Sequence, residues 1–126
     1  AGATGVMRDE GSADPWGWKA LRASMGAAFH LPVTRSRNLL GTLKDRQAAG
    51  VTLMAAVPRG GVSIYDVDFT QPVAVLLGGE GPGLAPEVAA AADTQISIPM
   101  SGAVESLNAA VAAAIILYEA KRQRSQ

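Results

Sequence analysis

Two segments of the sequence combine residue types that could hold a ligand or help to move a proton. The first is the glycine-rich run 78–83, GGEGPG, which contains one carboxylate, Glu80. The second is the run 98–108, IPMSGAVESLN. It ends in Ser106 and Asn108, two polar residues on either side of a leucine. Glycine lets backbone groups approach a ligand without a Cβ in the way, and Glu, Ser and Asn supply hydrogen-bonding oxygens. These two segments therefore contain the candidate functional residues.

The glycine-rich run follows the apolar segment 73–77, VAVLL, which is typical of a parallel strand covered on both faces. Ligands bind beyond the carboxyl ends of such strands. The run lacks the Lys-Ser/Thr of a P-loop and the GxGxxG spacing of a dinucleotide site, and Glu80 would repel a phosphate. The run is therefore either a loop that contacts a neutral or cationic ligand or a tight structural turn, and the residue types leave both interpretations open.

The second segment leads from a short apolar strand into the last helix. Ser106 and Asn108 would lie near the unpaired N–H groups and the positive dipole end of that helix. They could form part of a binding site, or Ser106 could be a simple N-cap. Taken alone, the segment favours the cap.

Composition excludes several kinds of site. The 126 residues fit one globular domain, with 48% hydrophobic and 17% charged residues. Cysteine is absent and His30 is the single histidine, so disulfides, thiolate metal sites and multi-histidine sites are excluded. Eleven basic residues balance eleven acidic ones, which argues against strong RNA binding by the whole surface but allows a local basic face.

The order of apolar runs and breakers predicts the secondary structure. Strands are expected over 3–7, 29–34, 51–57, 73–77 and 95–100, with helices over 16–24, 37–49, 86–92 and 106–122. The stretch 63–69 is expected to be irregular, and the basic tail 121–124 to be a frayed helix end. This alternation predicts an α/β domain with a mostly parallel sheet flanked by helices.

The sequence shows no segment suited to a membrane. Its longest apolar run, Ala109 to Leu117, has nine residues, whereas a bilayer requires about 20. The start of the chain has no apolar leader. We therefore expect no membrane association and a cytoplasmic location, with which the absence of cysteine is compatible.

The runs 76–84, LLGGEGPGL, and 98–108 resemble the second and third signature motifs of the SpoU (TrmH-like) branch of the SPOUT RNA methyltransferases. The earlier run 22–27, RASMGA, and the residues 29–32 also resemble this family, so the resemblance spans residues 1–126 as one methyltransferase domain. It implies a sheet whose C-terminal part is tied in a trefoil knot. It also implies S-adenosylmethionine as cofactor and methyl transfer to a ribose 2′-hydroxyl of rRNA or tRNA.

The resemblance implies roles for individual residues and a partner. The residues implied to bind the cofactor are Leu77, Gly78, Gly79, Ile98, Met100, Ser106 and Leu107. The residues implied to be catalytic are Glu80, Ser106 and Asn108. Of these, Glu80 would orient the arginine of the family's first motif, while Ser106 and Asn108 would hold the ribose. The resemblance further implies a homodimer formed through the last helix.

One family feature is missing. The first motif, Asn-x-Gly-x-x-x-Arg, does not occur in the 126 residues, and the family places it before the segment matching Ala1 to Met7. Since the chain also begins without Met, we expect a fragment that lacks the first strand and helix. The alternative is a truncated or degenerate knotted domain that binds cofactor or RNA without catalysis. Arg22 as a substitute for the missing arginine is a weaker interpretation.

A flavodoxin-like nucleotide or sugar-phosphate binder is a third possibility, and Glu80 in the loop argues against it. The all-round apolar helix 109–117 is expected to be buried, serving as both core and dimer interface. For the remaining candidates, ordinary structural or solvated roles are expected over RNA contacts or catalysis. These candidates are Trp16, Trp18, His30, Arg35 and Arg37.

Overall fold

The computed structural model describes residues 1–11, 16–17, 22, 25, 30–79, 83–103 and 107–126. Two compact units are formed, one by residues 2–39 and one by residues 40–126 with Ala1. Most of the helix expected over 16–24 and half of the family-like residues 22–27 and 29–32 lie outside the described residues.

The smaller unit contains two short parallel strands, β1 (Val6–Arg8) and β2 (Val33–Arg35). Both begin later in the chain than the sequence predicts. Pro32 explains the second boundary, because its ring nitrogen has no hydrogen to donate to a ladder. Its carbonyl oxygen instead accepts a hydrogen bond from Val6 N at 2.8 Å, so pairing starts at residue 33.

The larger unit is built on a four-stranded parallel sheet in the order β4-β6-β3-β5. Its strands are β3 (Thr52–Ala56), β4 (Val62–Ser63), β5 (Val73–Leu76) and β6 (Thr94–Ser97). The helices are α1 (Leu39–Ala48), α2 (Pro86–Ala91) and α3 (Ala109–Arg124). The prediction of an α/β fold with a mostly parallel sheet flanked by helices is confirmed.

Central position explains the burial of β3. This strand lies between β6 and β5, and three consecutive residues, Leu53, Met54 and Ala55, are buried. Such continuous burial is expected of a parallel strand covered on both faces. Met54 belongs to a core cluster with Ile64, Phe69, Ile96 and Ile116.

The stretch 63–69 was expected to be irregular, and most of it has no regular structure. It nevertheless contributes to sheet and core, because Ser63 pairs with Ser97 in β6 and Ile64 and Phe69 are fully buried. The β6 prediction extended too far, since the strand ends at Ser97 and leaves 98–100 outside the ladder.

The end of α1 is held by backbone and side-chain contacts. Gly50 adopts a φ of 94°, as expected for a glycine that stops a helix. Next to this end, Gln47 Nε2 donates to Asp93 Oδ1 at 3.2 Å. The other oxygen of Asp93 accepts from Leu53 N at 2.7 Å. Asp93 therefore links α1 to the start of the central strand.

The last helix begins later than predicted. Its N-cap is Asn108, whose Oδ1 accepts from Ala110 N at 2.8 Å and from Val111 N at 3.4 Å. The expectation that Ser106 caps this helix is wrong. An asparagine immediately before the first helical residue satisfies these N–H groups directly.

The basic C-terminal segment was predicted to be a frayed helix end. In the structure it is instead an anchored part of α3. Gln123 Oε1 accepts from Phe69 N at 2.8 Å, and Gln123 Nε2 donates to Val67 O at 3.0 Å. Arg124 Nε donates to Phe69 O at 2.7 Å. These side chains satisfy backbone groups of a segment without regular structure. We call this set of contacts between Gln123, Arg124 and residues 67–71 the C-terminal clamp.

Glu119 supports the clamp from one turn earlier. Its carboxylate, buried to 7% exposure, accepts two hydrogen bonds from Arg122 at 2.7 and 2.9 Å and one from Gln123 at 3.1 Å. The hydrogen bonds from Arg122, and after them that from Gln123, lower the pKa of Glu119 to about 2. A charged carboxylate is therefore maintained at this position.

The helix α3 was expected to be buried on every side, but one of its faces is exposed to solvent. Ile116 is buried in the core, but Val111 is 47% and Tyr118 60% exposed, and Ile115 lies on the same side. Residues spaced by four and three positions share one helix face. We call Val111, Ile115 and Tyr118 the exposed α3 face. In the part of the chain that the structure describes, no helix is long and apolar enough to span a bilayer.

Candidate functional site

Parallel strands of one sheet end at the same edge, and a cavity of about 590 Å³ lies where β3, β5 and β6 end. Small-molecule sites commonly have ~300–1,000 Å³. The segments that follow these three strands and the first turns of α3 line the cavity, with one contribution from α2. We call it the strand-end cavity.

The strand-end cavity brings together most of the residues predicted to bind a cofactor. Six of them line it: Leu77, Gly78, Gly79, Ile98, Met100 and Leu107. Asn108, predicted to be catalytic, lines it as well. Glu80 and Ser106 lie outside the described residues. The two motifs, separated in the sequence by residues 85–97, thus line one and the same cavity.

The glycine-rich run contains both a structural turn and an open stretch. A Cβ on Gly78 would lie 2.3 Å from Gly83 C and Leu84 N, so the chain folds back on itself there. Gly83 N donates to Gly79 O at 3.1 Å, and Gly83 has a φ of 71°. A Cβ on Gly79 would meet no atom of the described residues within 4 Å. The turn therefore requires Gly78 and Gly83, whereas Gly79 leaves room for a ligand.

Among the described residues, the side chains that line the cavity are mainly apolar, with Asn108 as a polar one, and none is charged. Leu77 and Met100 line it and remain 42% and 37% exposed to solvent. Apolar side chains that converge on a partly open cavity favour a ligand with a large apolar surface. An uncharged lining does not favour a polyphosphate.

Asn108 lies at the boundary between helix and cavity. Its Oδ1 is engaged by the N–H groups of Ala110 and Val111, and this fixes the side chain at the first turn of α3. The helix N-terminus beside it has a partial positive charge. Asn108 is thus a positioned polar group in a mainly apolar wall.

Sequence reasoning missed several lining residues. Those at the end of β3 and just after it are Ala56, Val57 and Pro58. Their signal was available, because a buried parallel strand predicted over 51–57 should end at the same edge as the strand over 73–77. Ala89 of α2 and Ala112 and Ile116 of α3 also line the cavity. Small and apolar helix residues have no feature that separates them from ordinary core.

The other candidate side chains are not assembled into a site. His30, Arg22 and Arg37 are exposed, and Trp16 is 45% exposed. Arg35 forms an ion pair with Glu10 at 2.6 Å. Trp18 lies outside the described residues. Within the described ranges, no group of three or more His, Cys, Asp or Glu residues could hold a metal ion.

A parallel α/β fold with a cavity at its strand ends, lined in large part by these two motifs, belongs to the class of domains that bind small ligands beyond the carboxyl ends of the strands. The profile of the SpoU rRNA Methylase family matches residues 1–118. The chain belongs to this family, and the resemblance found in the two motifs is confirmed.

Named relatives agree with this assignment. The chain is 40% identical over 128 residues to a 23S rRNA (uridine(2479)-2′-O)-methyltransferase of Streptomyces viridochromogenes, a match that covers 98% of this chain and 45% of the relative. It is 44% identical over 105 residues to an uncharacterized tRNA/rRNA methyltransferase of Mycobacterium ulcerans, covering 83% of this chain and 34% of the relative. The chain therefore spans less than half the length of these relatives.

Solved structures share the fold at substantial identity. The SpoU methyltransferase AviRb of Streptomyces viridochromogenes, crystallised with S-adenosylmethionine, matches with a TM-score of 0.89 and 40% identity over 98% of this chain and 51% of that one. An rRNA methyltransferase of Sinorhizobium meliloti with bound S-adenosylmethionine matches with a TM-score of 0.88 and 36% identity, covering 96% of this chain and 46% of that one.

Proposed function

We propose that the strand-end cavity binds S-adenosylmethionine and that the chain is the cofactor-binding part of an RNA ribose 2′-O-methyltransferase acting on rRNA or tRNA. The observation that carries the proposal is the convergence on one cavity of six residues that the family resemblance implies to bind the cofactor. Support comes from the 40% identity to a methyltransferase crystallised with this cofactor.

The cavity fits the cofactor by chemistry. Leu77, Ile98 and Leu107 offer apolar surface for an adenine ring. The open space at Gly79 lets backbone groups approach the ligand closely. An uncharged lining among the described residues also suits a cofactor that has no phosphate. When bound, S-adenosylmethionine supplies a methyl group on a positively charged sulfur.

The polar residues of the second motif are proposed to act on the RNA side. A ribose 2′-hydroxyl is a weak nucleophile, so it must be positioned and its proton must be accepted. We assign Asn108, together with Ser106, to holding the ribose and Glu80 to orienting an arginine of the family's first motif. DNA lacks the 2′-hydroxyl, and this chemistry therefore selects RNA.

Three further assignments belong to the same proposal. The exposed α3 face is apolar, and we assign it to a homodimer interface. Family membership supports a trefoil knot in the C-terminal part of the fold. An RNA substrate supports a cytoplasmic location.

Calorimetric titration with S-adenosylhomocysteine tests the proposed function. The wild-type chain is expected to bind one equivalent. Gly79→Leu is expected to weaken binding at least tenfold, because the side chain takes space beside the cavity, while the melting temperature stays close to that of the wild type. A folded wild-type chain that fails to bind the ligand would contradict the proposal. Equal affinity of the two proteins would remove Gly79 from the site.

A further inference from the structure

A second cavity, of about 370 Å³, lies beside the strand-end cavity. The two share Pro58, Ile98 and Met100 as lining residues. The second cavity is more polar, because Arg59 and Ser97 also line it. Arg59 is the one charged residue among its described lining residues, and it is exposed. We call this space the Arg59 cavity.

The segment that presents Arg59 is anchored to the sheet. Gly61 N donates to Ser97 Oγ at 2.9 Å. A Cβ on Gly61 would lie 2.6 Å from Ile96 C, so the backbone lies directly on β6. Gly60 has a φ of 81°, which allows the turn between Arg59 and this contact. The arginine therefore extends from a fixed point at the edge of the sheet.

Within the described part of the chain, Arg59 forms no ion pair, in contrast to Arg35 and Arg122. An exposed guanidinium that lines an open cavity, with no carboxylate partner among the described residues, suits an incoming oxyanion. Phosphate is well matched to it, because the planar group can donate two parallel hydrogen bonds.

We propose that the Arg59 cavity is the phosphodiester subsite for the RNA nucleotide whose ribose faces the strand-end cavity. The inference rests on the proposed function, because it takes the methyl donor to lie in the strand-end cavity. For reaction, the 2′-hydroxyl must approach the methyl group to about 3–3.5 Å. The 3′-phosphate is attached to the neighbouring ribose carbon. A phosphate must consequently lie next to the cofactor, and the Arg59 cavity shares a wall with it.

The competing source of an oxyanion is the carboxylate of the methionine part of the cofactor. The strand-end cavity, with a volume of about 590 Å³, has room for the whole cofactor, including its carboxylate. Arg59 does not line that cavity. These observations favour a phosphate of the RNA.

The test compares Arg59→Gln with the wild-type chain in two binding measurements. The first is calorimetry with S-adenosylhomocysteine. The second is fluorescence anisotropy with a short single-stranded RNA oligonucleotide at saturating S-adenosylhomocysteine and several salt concentrations. Arg46→Gln is the matched control, because Arg46 is an exposed arginine near the end of α1 that lines neither cavity.

We expect Arg59→Gln to weaken RNA binding by about tenfold and to reduce the magnitude of the salt slope by about 0.7, the value for one phosphate contact on a single strand. Binding of S-adenosylhomocysteine should be unchanged, and Arg46→Gln should bind RNA with an affinity close to the wild type.

Three outcomes would overturn the inference. Equal RNA affinities of Arg59→Gln and Arg46→Gln would show that Arg59 has no special contact. Weakened cofactor binding with unchanged RNA binding would assign Arg59 to the cofactor carboxylate. Cofactor binding by the wild-type chain without measurable RNA binding would leave the proposed function standing and remove the subsite. Failure to bind cofactor would instead contradict the proposed function.

Discussion

The backbones of Gly78 and Gly83 are in such close contact that a Cβ on Gly78 would lie 2.3 Å from the carbonyl carbon of Gly83. A distance this short would force one of the two backbone segments to move, because the atoms that the Cβ would meet, Gly83 C and Leu84 N, belong to the backbone. The contact closes the turn that follows β5, and Gly78 and Gly79 on one side of the turn line the strand-end cavity. The shape of the cavity therefore depends on this pair.

Gly78→Ala is expected to destabilise the chain by about 1–3 kcal/mol, the usual cost of forcing extra volume into a packed position. Urea denaturation followed by circular dichroism measures this difference. Gly79→Ala is the matched control, because within the ranges that the structure describes its Cβ would meet no atom within 4 Å. Equal losses of stability in the two variants would show that the turn relaxes easily at Gly78.

Asn108→Ala is expected to lower the free energy of unfolding by about 1 kcal/mol, the typical value of an N-cap. The cause is the loss of the acceptor for Ala110 N and Val111 N at the start of α3. Asn108→Asp should retain most of the stability, because a carboxylate caps a helix as well as an amide does. Chemical denaturation checks both, and an equally unstable Asn108→Asp would contradict the capping role.

The C-terminal clamp predicts that Gln123→Ala destabilises the chain by about 1–3 kcal/mol, because Phe69 N loses its acceptor and Val67 O its donor. Thermal unfolding measures the effect. Gln126→Ala, at the exposed last residue, is the control and should leave the melting temperature unchanged. Equal melting temperatures of Gln123→Ala and the wild type would contradict a stabilising role of the clamp.

Glu119 predicts a pH dependence of stability. Its pKa is lowered from 4.5 to about 2 in the folded chain, first by the hydrogen bonds from Arg122 and then by that from Gln123. A lowered folded-state pKa stabilises the fold fully above about 4.5, and this contribution is lost as the pH falls from about 4.5 towards 2. Unfolding measured across this range should show a shallower acid destabilisation in Glu119→Gln than in the wild type. Parallel curves for the two proteins would contradict the assignment.

The exposed α3 face predicts that Ile115→Lys shifts the chain from dimer to monomer. A lysine there would place a charge in the proposed homodimer interface, and desolvating that charge is costly. Light scattering coupled to size-exclusion chromatography measures the mass. Ala49→Lys adds the same charge at an exposed position after α1 and should remain dimeric. A wild-type chain that is monomeric at high concentration would contradict the homodimer itself.

Predictions from local pattern succeeded where a single segment carries the information. The apolar runs around β3 and β5 and the glycine after α1 were located from their own residues, because burial and turn chemistry act on neighbouring positions. The C-terminal clamp could not be found in this way. Gln123 and Arg124 contact residues 67–71 only after the sheet and α3 have packed together.

At the candidate site, the two motifs also separate what the local sequence predicts from what only tertiary contacts establish. The sequence by itself determined their family and the residues expected around a cofactor, since the order of side chains in each motif is a local property. Only the tertiary structure decided that Gly78 is required by the turn and Gly79 is open, that Asn108 caps α3, and that Arg59 lies beside the cavity. Those distinctions depend on distances between segments far apart in the chain, which parallel strand pairing and helix packing create.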